Sequence, residues 1–212
     1  MKRVVGIGAG GHAQVLLEIL QLECSAEIVG LLDADRAGWG TLIGGVPVLG
    51  GDDLLEEMRS RGVDSVFIGI GSAGPTTLRQ KLFLRAREVG FEVVDVIHPT
   101  ASVAPSSQRG RGAALLARSV VNSHARLGEN VIVNTAAVVE HHCTIGDHCH
   151  IATGALVAGH VEVGAGTHIG IGAVVRQGIK IGSNAVVGAG AVVVENVADG
   201  ERVAGIPARP IS

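Results

Sequence analysis

The densest cluster of chemically active side chains lies between residues 140 and 150. It contains the adjacent Glu140, His141 and His142, followed by His148 and His150. Imidazole titrates near neutral pH, so a histidine here is suited to take a proton from an attacking amine or hydroxyl. Acyl transfer from a thioester needs such a base, together with a hydrogen-bond donor for the oxyanion that develops. The cluster therefore predicts general-base chemistry.

A second candidate site lies near the N-terminus. Gly6, Gly8 and Gly11 form a G-x-G-x-x-G turn after one predicted strand, and Asp33 and Asp35 end the next. Close backbone approach and a helix N-terminus favour a phosphate, and carboxylates that end a strand often bind the ligand. His12 follows the turn. A dinucleotide-dependent dehydrogenase would need a second nucleotide-binding half that is missing here, so we expect a mononucleotide or nucleotide-sugar site. The alternatives are a plain tight turn, a capping histidine and ordinary turn carboxylates.

The histidine cluster is embedded in a six-residue repeat that runs from Val103 to about Ala204. The first position of each unit is aliphatic except at Arg109 and Asp199, and the fifth position is always small or β-branched. This period predicts a parallel β-helix of hexapeptides, with three units in a coil of about 18 residues. The repeat does not fit an amphipathic helix, whose period is 3.6.

Composition supports a narrow interior. Among 212 residues, 47% are hydrophobic but only 2% are aromatic, with no tyrosine. The apolar fraction excludes a disordered chain, and a net charge of −3 argues against a nucleic-acid partner. Cys143 and Cys149 fall at the inward fifth position, and with Cys24 they form no disulfide framework. We see no membrane-spanning segment and expect a cytoplasmic protein without membrane insertion.

The first hundred residues follow a different pattern. Predicted strands alternate with predicted helices, which indicates a small parallel, half-Rossmann-like α/β domain. The strands are expected at 3–7, 27–32, 65–70 and 92–97, and the helices at 11–21, 52–61 and 75–89. We place one domain at residues 1–98 and the β-helix with a C-terminal tail at residues 99–212.

Five segments carry a family resemblance: GAGGHA at 8–13, LLDAD at 31–35, IGS at 70–72, EHHCTIGDHCHI at 140–151 and VAGIPAR at 203–209. In this order they resemble the sugar O- and N-acyltransferases of the sialic-acid O-acetyltransferase and bacillosamine-pathway N-acetyltransferase type, to which GDP-perosamine N-acetyltransferases are similar. The resemblance implies a left-handed β-helix after a nucleotide-binding domain. It also implies a homotrimer that uses acetyl-CoA. Separately, the histidine spacing leads us to expect no metal.

The resemblance assigns the general base to His141 and places His150 along acetyl-CoA. Some relatives have an acidic residue after the base, which orients it. Here that residue is His142, so orientation is left to Glu140, Asp147, water or the substrate. The expected catalytic residues are Glu140, His141 and His142; the expected cofactor-binding residues are His150, Gly159, Ala173, Pro207 and Arg209; the expected substrate-binding residues are Gly8, Gly10, Gly11, His12, Asp33, Asp35, Gly71 and Ser72.

Position in the repeat adds one role independently. Gly159 lies one coil beyond His141 at the same corner, and its exposed N–H makes it the candidate oxyanion donor. Arg209 suits a CoA phosphate, although a solvated terminal charge is the alternative.

The expected reaction is acetyl transfer from acetyl-CoA to the 4-amino group of a UDP- or GDP-linked 4-amino-4,6-dideoxy sugar. O-acetylation of a sialic-type sugar is the alternative within the same class. A non-catalytic nucleotide-sugar-binding scaffold is another alternative. A metal-dependent enzyme of the carbonic anhydrase type is the last, because His124 and His160 have the spacing of two of its ligands. Ala165 stands where the third would be.

Overall fold

The computed structural model describes residues 2–23 and 26–211, so Cys24 lies outside the described residues. The chain divides into two compact units. The first comprises residues 1–71 and 78–96, and the second comprises residues 72–77 and 97–212. The chain thus enters the second unit twice, first in the six-residue segment 72–77 and again at residue 97.

The first unit contains a six-stranded sheet flanked by helices. Its elements are β1 (Lys2–Ile7), α1 (Gly11–Glu23), β2 (Ala26–Leu32), β3 (Leu42–Ile43), β4 (Val46–Gly50), α2 (Leu55–Ser60), β5 (Ser65–Ile68), α3 (Thr77–Glu88) and β6 (Glu92–Val93), with short 3-10 turns at Arg36–Gly38 and Asp52–Leu54. The strand order is β3-β4-β2-β1-β5-β6, and only β3 runs antiparallel to its neighbour. The predicted parallel α/β domain is confirmed.

The core of this unit follows from the sequence pattern. Helix α1 buries Ala13, Leu16, Leu17 and Leu20, which share one face because they are spaced three, four and seven residues apart. Every residue of β5 is buried, as expected of a parallel strand covered on both faces.

The β3–β4 hairpin is missing from the sequence prediction. Gly44 and Gly45 join its strands with φ values of +54° and +82°. Two successive positive φ values belong to the tight turns that glycine favours in two-residue hairpins. The two adjacent glycines were the available signal, but the two-residue strand β3 is too short to show a period.

The second unit is a left-handed parallel β-helix whose three faces are sheets of two- and three-residue strands. The first face contains Val96–Ile97, Ala114–Leu115, Ile132–Val133, His150–Ile151, His168–Ile169, Val186–Val187, Arg202–Ala204 and Arg209–Pro210. The second contains Ser102–Val103, Val120–Val121, Val138–Val139, Leu156–Val157, Val174–Val175 and Val192–Val193. The third contains Gln108–Arg109, Arg126–Leu127, Thr144–Ile145, Glu162–Val163 and Lys180–Ile181.

Coil follows coil in constant register. Val120 lies opposite Val138, and Val138 lies opposite Leu156, each 18 residues further along the chain. The first and fifth repeat positions fill the interior, where Cys143 and Cys149 are fully buried. The inward positions read from the sequence are therefore confirmed through these coils, while Arg109 and Asp199 near the ends are exposed.

The fourth repeat position turns the corner of each coil in the left-handed backbone region. His124, His142 and His160 occupy three such corners with φ values of 59°, 59° and 58°. Histidine tolerates this conformation better than most non-glycine residues. Since the coils are in register, the three imidazoles form one column.

None of the helices in the described part of the chain combines the length and apolarity needed to cross a membrane.

Candidate active site

The backbone of His141 is held on both sides. Its N–H donates to Glu140 Oε2 at 3.2 Å, and its carbonyl accepts from the N–H of His160 at 3.0 Å. The side chain is half-buried. Its Nδ1 lies 3.2 Å from Nδ1 of His142, so the two rings are joined edge to face. The imidazole of His141 thus has one nitrogen engaged by a neighbour.

The opposite edge of the His141 ring lies against Gly159. A Cβ placed on Gly159 would stand 2.6 Å from Cε1 and 2.7 Å from Nε2 of His141. Those distances are shorter than any ordinary contact, so an alanine here would displace the ring. Glycine is required because the imidazole occupies the place of its side chain.

The N–H of Gly159 lacks the side-chain acceptor that three earlier corners of the β-helix provide. The N–H groups of Ser123, Thr135 and His141 each donate to the side chain of the preceding residue, which is Asn122, Asn134 or Glu140. Ala158 precedes Gly159 and offers no side-chain acceptor. Within residues 2–23 and 26–211, no acceptor is found for the Gly159 N–H. The amide is therefore free to bind an oxyanion beside Nε2 of His141.

The histidine column borders a pocket of about 400 Å³ that is also lined by Arg126 and Thr144. His142 lies between its neighbours, with ring centroids 5.1 Å from His124 and 4.8 Å from His160. Desolvation by the crowded rings, and then the charges of His160, His124 and His141, lower the pKa of His142 below its ordinary value. The neutral form of His142 is therefore favoured. Sequence reasoning missed Arg126, although its place in the coil after His124 was a signal.

The cluster also brings imidazole nitrogens together. One nitrogen each from His141, His142 and His160 lies within 4.8 Å of the others. This is not the set suggested by the sequence, which paired His124 with His160. A tetrahedral zinc ion needs such nitrogens roughly 3.3 Å apart. The Arg126 guanidinium lines the same pocket and opposes a cation. The arrangement favours the hydrogen-bonded pair of His141 and His142 over a metal centre.

His150 lies in a different environment within the same unit. It is buried; its Nδ1 lies 2.9 Å from the Ser72 hydroxyl and its Nε2 lies 3.1 Å from the amide nitrogen of Asn134. These three residues, with His168 and Ile171, line a pocket of about 350 Å³. Both nitrogens of His150 are engaged, so it anchors the 72–77 segment while presenting its ring to this pocket. The sequence offered no signal for Asn134 as its partner.

The other expected cofactor residues are spread out. Ala173 is fully buried in the β-helix interior, so its side chain belongs to the core and only its backbone is left for a cofactor contact. Pro207 is exposed in the turn between the last two strands, Arg202–Ala204 and Arg209–Pro210. The exposed Arg209 donates to the carbonyl of Ala208 at 2.9 Å, and its guanidinium lies 3.6 Å from Glu195.

In the first unit, the glycine turn contains one glycine that the backbone and packing require, Gly8, and two that they do not, Gly10 and Gly11. Gly8 has a φ of +108°, and a Cβ there would lie 2.7 Å from Ile70. Gly10 and Gly11, at the start of α1, face open space, since nothing in the described structure lies within 4 Å of a Cβ added to either. The absence of side chains at Gly10 and Gly11 is thus not required by packing, which leaves room for a ligand.

The carboxylates near this turn are engaged by the backbone. Asp33 Oδ2 accepts from the N–H of Ala9 at 2.6 Å, and its Oδ1 accepts from the N–H of Asp35 at 2.8 Å. Asp35 in turn caps the following 3-10 turn by accepting from Ala37. Asp33 therefore ties the end of β2 to the glycine turn, and Asp35 serves the turn that follows.

His12 lies on the first turn of α1. Burial, and then the nearby Arg79 guanidinium, lower the pKa of His12 to about 4, so the ring is neutral at physiological pH. Its buried Nε2 has no hydrogen-bond partner among the described residues. A Cβ on Gly71 would lie 3.4 Å from this ring. Gly71 therefore packs beside His12, whereas the next residue, Ser72, belongs with His150.

Comparison with known proteins identifies the family of this chain. Residues 3–85 match the PglD N-terminal domain, and residues 124–159 and 160–194 match the bacterial transferase hexapeptide repeat. Perosamine N-acetyltransferase from Caulobacter crescentus, crystallised with CoA and GDP-perosamine, is 40% identical with a TM-score of 0.92, over 100% of this chain and 98% of that one. The chain belongs to the hexapeptide-repeat sugar acyltransferases. The family resemblance of the sequence motifs is confirmed, and the protein is an acyltransferase.

Two further solved structures are similar to this chain over its full length. The acetyltransferase domain of PglB from Neisseria gonorrhoeae is 35% identical with a TM-score of 0.90, and each chain is covered over 100% of its length. WeeI from Acinetobacter baumannii is 27% identical with a TM-score of 0.87, again over 100% of both chains. The Caulobacter enzyme has also been crystallised with a histidine replaced by asparagine or by alanine, in complex with CoA and GDP-perosamine.

Proposed function

We propose that this acyltransferase moves the acetyl group of acetyl-CoA to the 4-amino group of a GDP- or UDP-linked 4-amino-4,6-dideoxy sugar. The observation that carries the proposal is the contact between His141 and Gly159, where a ring nitrogen lies beside an unused backbone N–H. A base next to an oxyanion donor is the arrangement that acyl transfer to an amine needs. The Caulobacter enzyme, solved with CoA and GDP-perosamine, supports this class of substrates.

In the proposed mechanism, the amine nitrogen attacks the thioester carbonyl carbon and forms the new C–N bond. The carbonyl oxygen becomes an oxyanion that accepts a hydrogen bond from the N–H of Gly159. Nε2 of His141 removes the proton that the amine nitrogen loses. The C–S bond then breaks, CoA leaves as the thiolate, and the imidazolium of His141 returns the proton to sulfur.

The glycine turn of the first unit is the proposed nucleotide site. Gly8, Gly10 and Gly11 shape a concave backbone at the start of a 13-residue helix, where N–H groups and the helix dipole favour phosphate. His12 supplies a neutral ring with an unpaired Nε2. Asp33 and Asp35 act by holding the turn, and Gly71 packs beside His12.

Acetyl-CoA is proposed to bind along the β-helix, in a cleft completed by a neighbouring subunit of a homotrimer. The pocket at His150 and Ser72 is one candidate for part of that cleft, and Pro207 and Arg209 supply further exposed groups near the C-terminus. Beyond Ser102, the outward residues of the second face are apolar, which suits burial against another copy. They are Val120, Val138, Leu156, Val174 and Val192.

Substrate screening tests the reaction class. Purified protein is incubated with acetyl-CoA and GDP- or UDP-linked 4-amino sugars, and release of free CoA thiol is measured. We expect thiol release with an amino sugar and an amide product that resists hydroxylamine. A hydroxylamine-labile ester on a sialic-type sugar would instead support O-acetylation. Loss of activity in EDTA would contradict a metal-free mechanism, and no release with any amino sugar would contradict the proposal.

His141→Asn tests the base. The asparagine keeps polarity but cannot accept the proton, and a positioned general base is worth about 10²- to 10⁴-fold. We expect kcat to fall by that factor, while the melting temperature and acetyl-CoA affinity measured by calorimetry stay unchanged. A near-normal kcat would show that another group takes the proton.

A further inference from the structure

A general base that works through Nε2 of an imidazole must carry its remaining proton on Nδ1, and an acceptor at Nδ1 holds the ring in that tautomer. For His141, Nε2 is the ring nitrogen nearer to Gly159, at 2.7 Å from a Cβ added there against 3.1 Å for Nδ1. The question is therefore which group accepts from Nδ1.

The two nearby carboxylates are engaged elsewhere. Glu140 Oε2 accepts from the amide of Asn122 at 3.0 Å and from the backbone N–H of His141. Asp147 Oδ1 accepts from the backbone N–H of Glu129 at 2.7 Å. Within the described residues, no hydrogen bond joins either carboxylate to the His141 ring. Both acids support the backbone of the coil instead.

His142 is the group that meets Nδ1 of His141, with its own Nδ1 at 3.2 Å. We propose that neutral His142, protonated on Nε2, is the positioning residue of the base and accepts the Nδ1–H of His141. This assignment rests on the proposed function. It leaves the lone pair of Nε2 on His141 directed toward the side where Gly159 offers its N–H.

The surroundings of His142 keep it fixed and neutral. Its backbone is locked at the corner with φ +59°, and its ring is stacked on His160 with only 11° between the planes. The titratable and charged groups around it are Glu140 and His141 on its own coil, His124 and His160 on adjacent coils, and Arg126 across the pocket. Desolvation, and then the charges of the three neighbouring histidines, lower the pKa of His142, and Arg126 adds a further positive charge beside it.

This role has a consequence for pH dependence. Protonation of His142 would turn its Nδ1 from an acceptor into a donor and break the contact with His141. A carboxylate in the same place would hold the contact and would also stabilise the imidazolium of His141. An opposite charge at such a distance raises the pKa of a histidine, by about one unit at an exposed site. The identity of residue 142 therefore sets the acid limb of the activity profile.

His142→Ala is the decisive variant, with His124→Ala as its matched control. Alanine is compatible with this backbone, since Ala136 occupies the equivalent corner with φ +56°. His124 belongs to the same column and packs against His142 with the ring planes tilted by 37°, but no contact joins it to the His141 ring in the described structure. We expect His142→Ala to lower kcat at least tenfold with unchanged KM for acetyl-CoA, and His124→Ala to stay within twofold. His142→Asp should restore kcat and move the acid limb to higher pH by about one unit.

A second measurement needs no substrate. Two-bond ¹H–¹⁵N spectra of histidine-labelled full-length protein report which nitrogen of His141 is protonated. We expect the Nδ1–H form in the wild type and a mixture of tautomers in His142→Ala. Equal kcat values for the two alanine variants, or an unchanged tautomer of His141, would overturn the assignment. Failure of the proposed function would look different, because the wild type would acetylate no amino sugar while the tautomer of His141 still depended on residue 142.

Discussion

His141 and Gly159 depend on each other at the scale of single atoms. The ring stays in place because Gly159 has no side chain, and the amide is unused because Ala158 cannot accept from it as Asn122, Asn134 and Glu140 do at their corners. In the proposed mechanism, the base and the oxyanion donor are brought together by a glycine and an alanine that take no part in the chemistry. The proposed role of this corner therefore rests as much on Gly159 and Ala158 as on His141.

Gly159→Ala tests that dependence. The new Cβ would lie 2.6 Å from the ring of His141, which is a side chain and can move, so we expect a misplaced base in a folded protein. The predicted result is a fall in kcat of about 10²-fold, the order of losing one catalytic group. Gly154→Ala is the control, because a Cβ there meets nothing within 4 Å and Ala136 already adopts the same left-handed backbone, with φ +56° against +66°, at the equivalent repeat position. Equal activity of the two variants would contradict the proposed role of Gly159.

At the scale of elements, each site is built where a regular segment ends. The corners of the β-helix repeat every 18 residues. Side chains at one corner therefore lie in a column because of the backbone register alone. The glycine turn lies between β1 and α1, and Asp33 at the end of β2 ties down its Ala9 N–H. Strand and coil geometry thus decide where these side chains meet.

Gly11→Val tests the glycine turn. A valine at the start of α1 would project into the open space in which we place a phosphate. We expect the KM for the nucleotide sugar to rise at least tenfold while acetyl-CoA affinity remains unchanged. Gly38→Val is a control in the same unit, because Gly38 also faces open space but lies outside the proposed site. Parallel loss of both affinities would indicate unfolding or a misplaced site.

At the scale of the whole molecule, the second and third faces of the β-helix differ in the polarity of their outward residues. The third face carries Gln108, Arg126, Thr144, Glu162 and Lys180 outward. On the second face, Leu156 is 45% exposed and Val174 is 38% exposed. An apolar column of this kind is costly in water, so the second face is the expected contact between copies in a closed homotrimer.

Val174→Glu tests the assembly. A carboxylate in the apolar column would be buried without a partner on association, so we expect monomers by light scattering and little acetyl transfer. Gln108→Glu adds the same charge to the polar face and should leave a trimer. A trimer of Val174→Glu with full activity would exclude this face as the interface.

The sequence by itself determined the β-helix, its inward positions and the residues able to do chemistry. A six-residue period predicts a parallel β-helix, and strand pairing then fixes each residue relative to the coils above and below it, but the left hand of the coil was expected only from the family resemblance. The glycine turn was readable for the same reason, since its conformation is set locally. The β3–β4 hairpin was not predicted, because its first strand has only two residues and shows no period.

Only the tertiary structure decided which atoms meet. Repeat position placed His141 and Gly159 at one corner, but the contact of Nε2 with the glycine depends on the rotamer of the ring. Ser72 reaches His150 across 78 residues, through a segment whose own pattern predicts nothing about the β-helix. Side-chain orientation and long-range docking are settled by packing among all neighbours at once. A period along one chain carries no information about either.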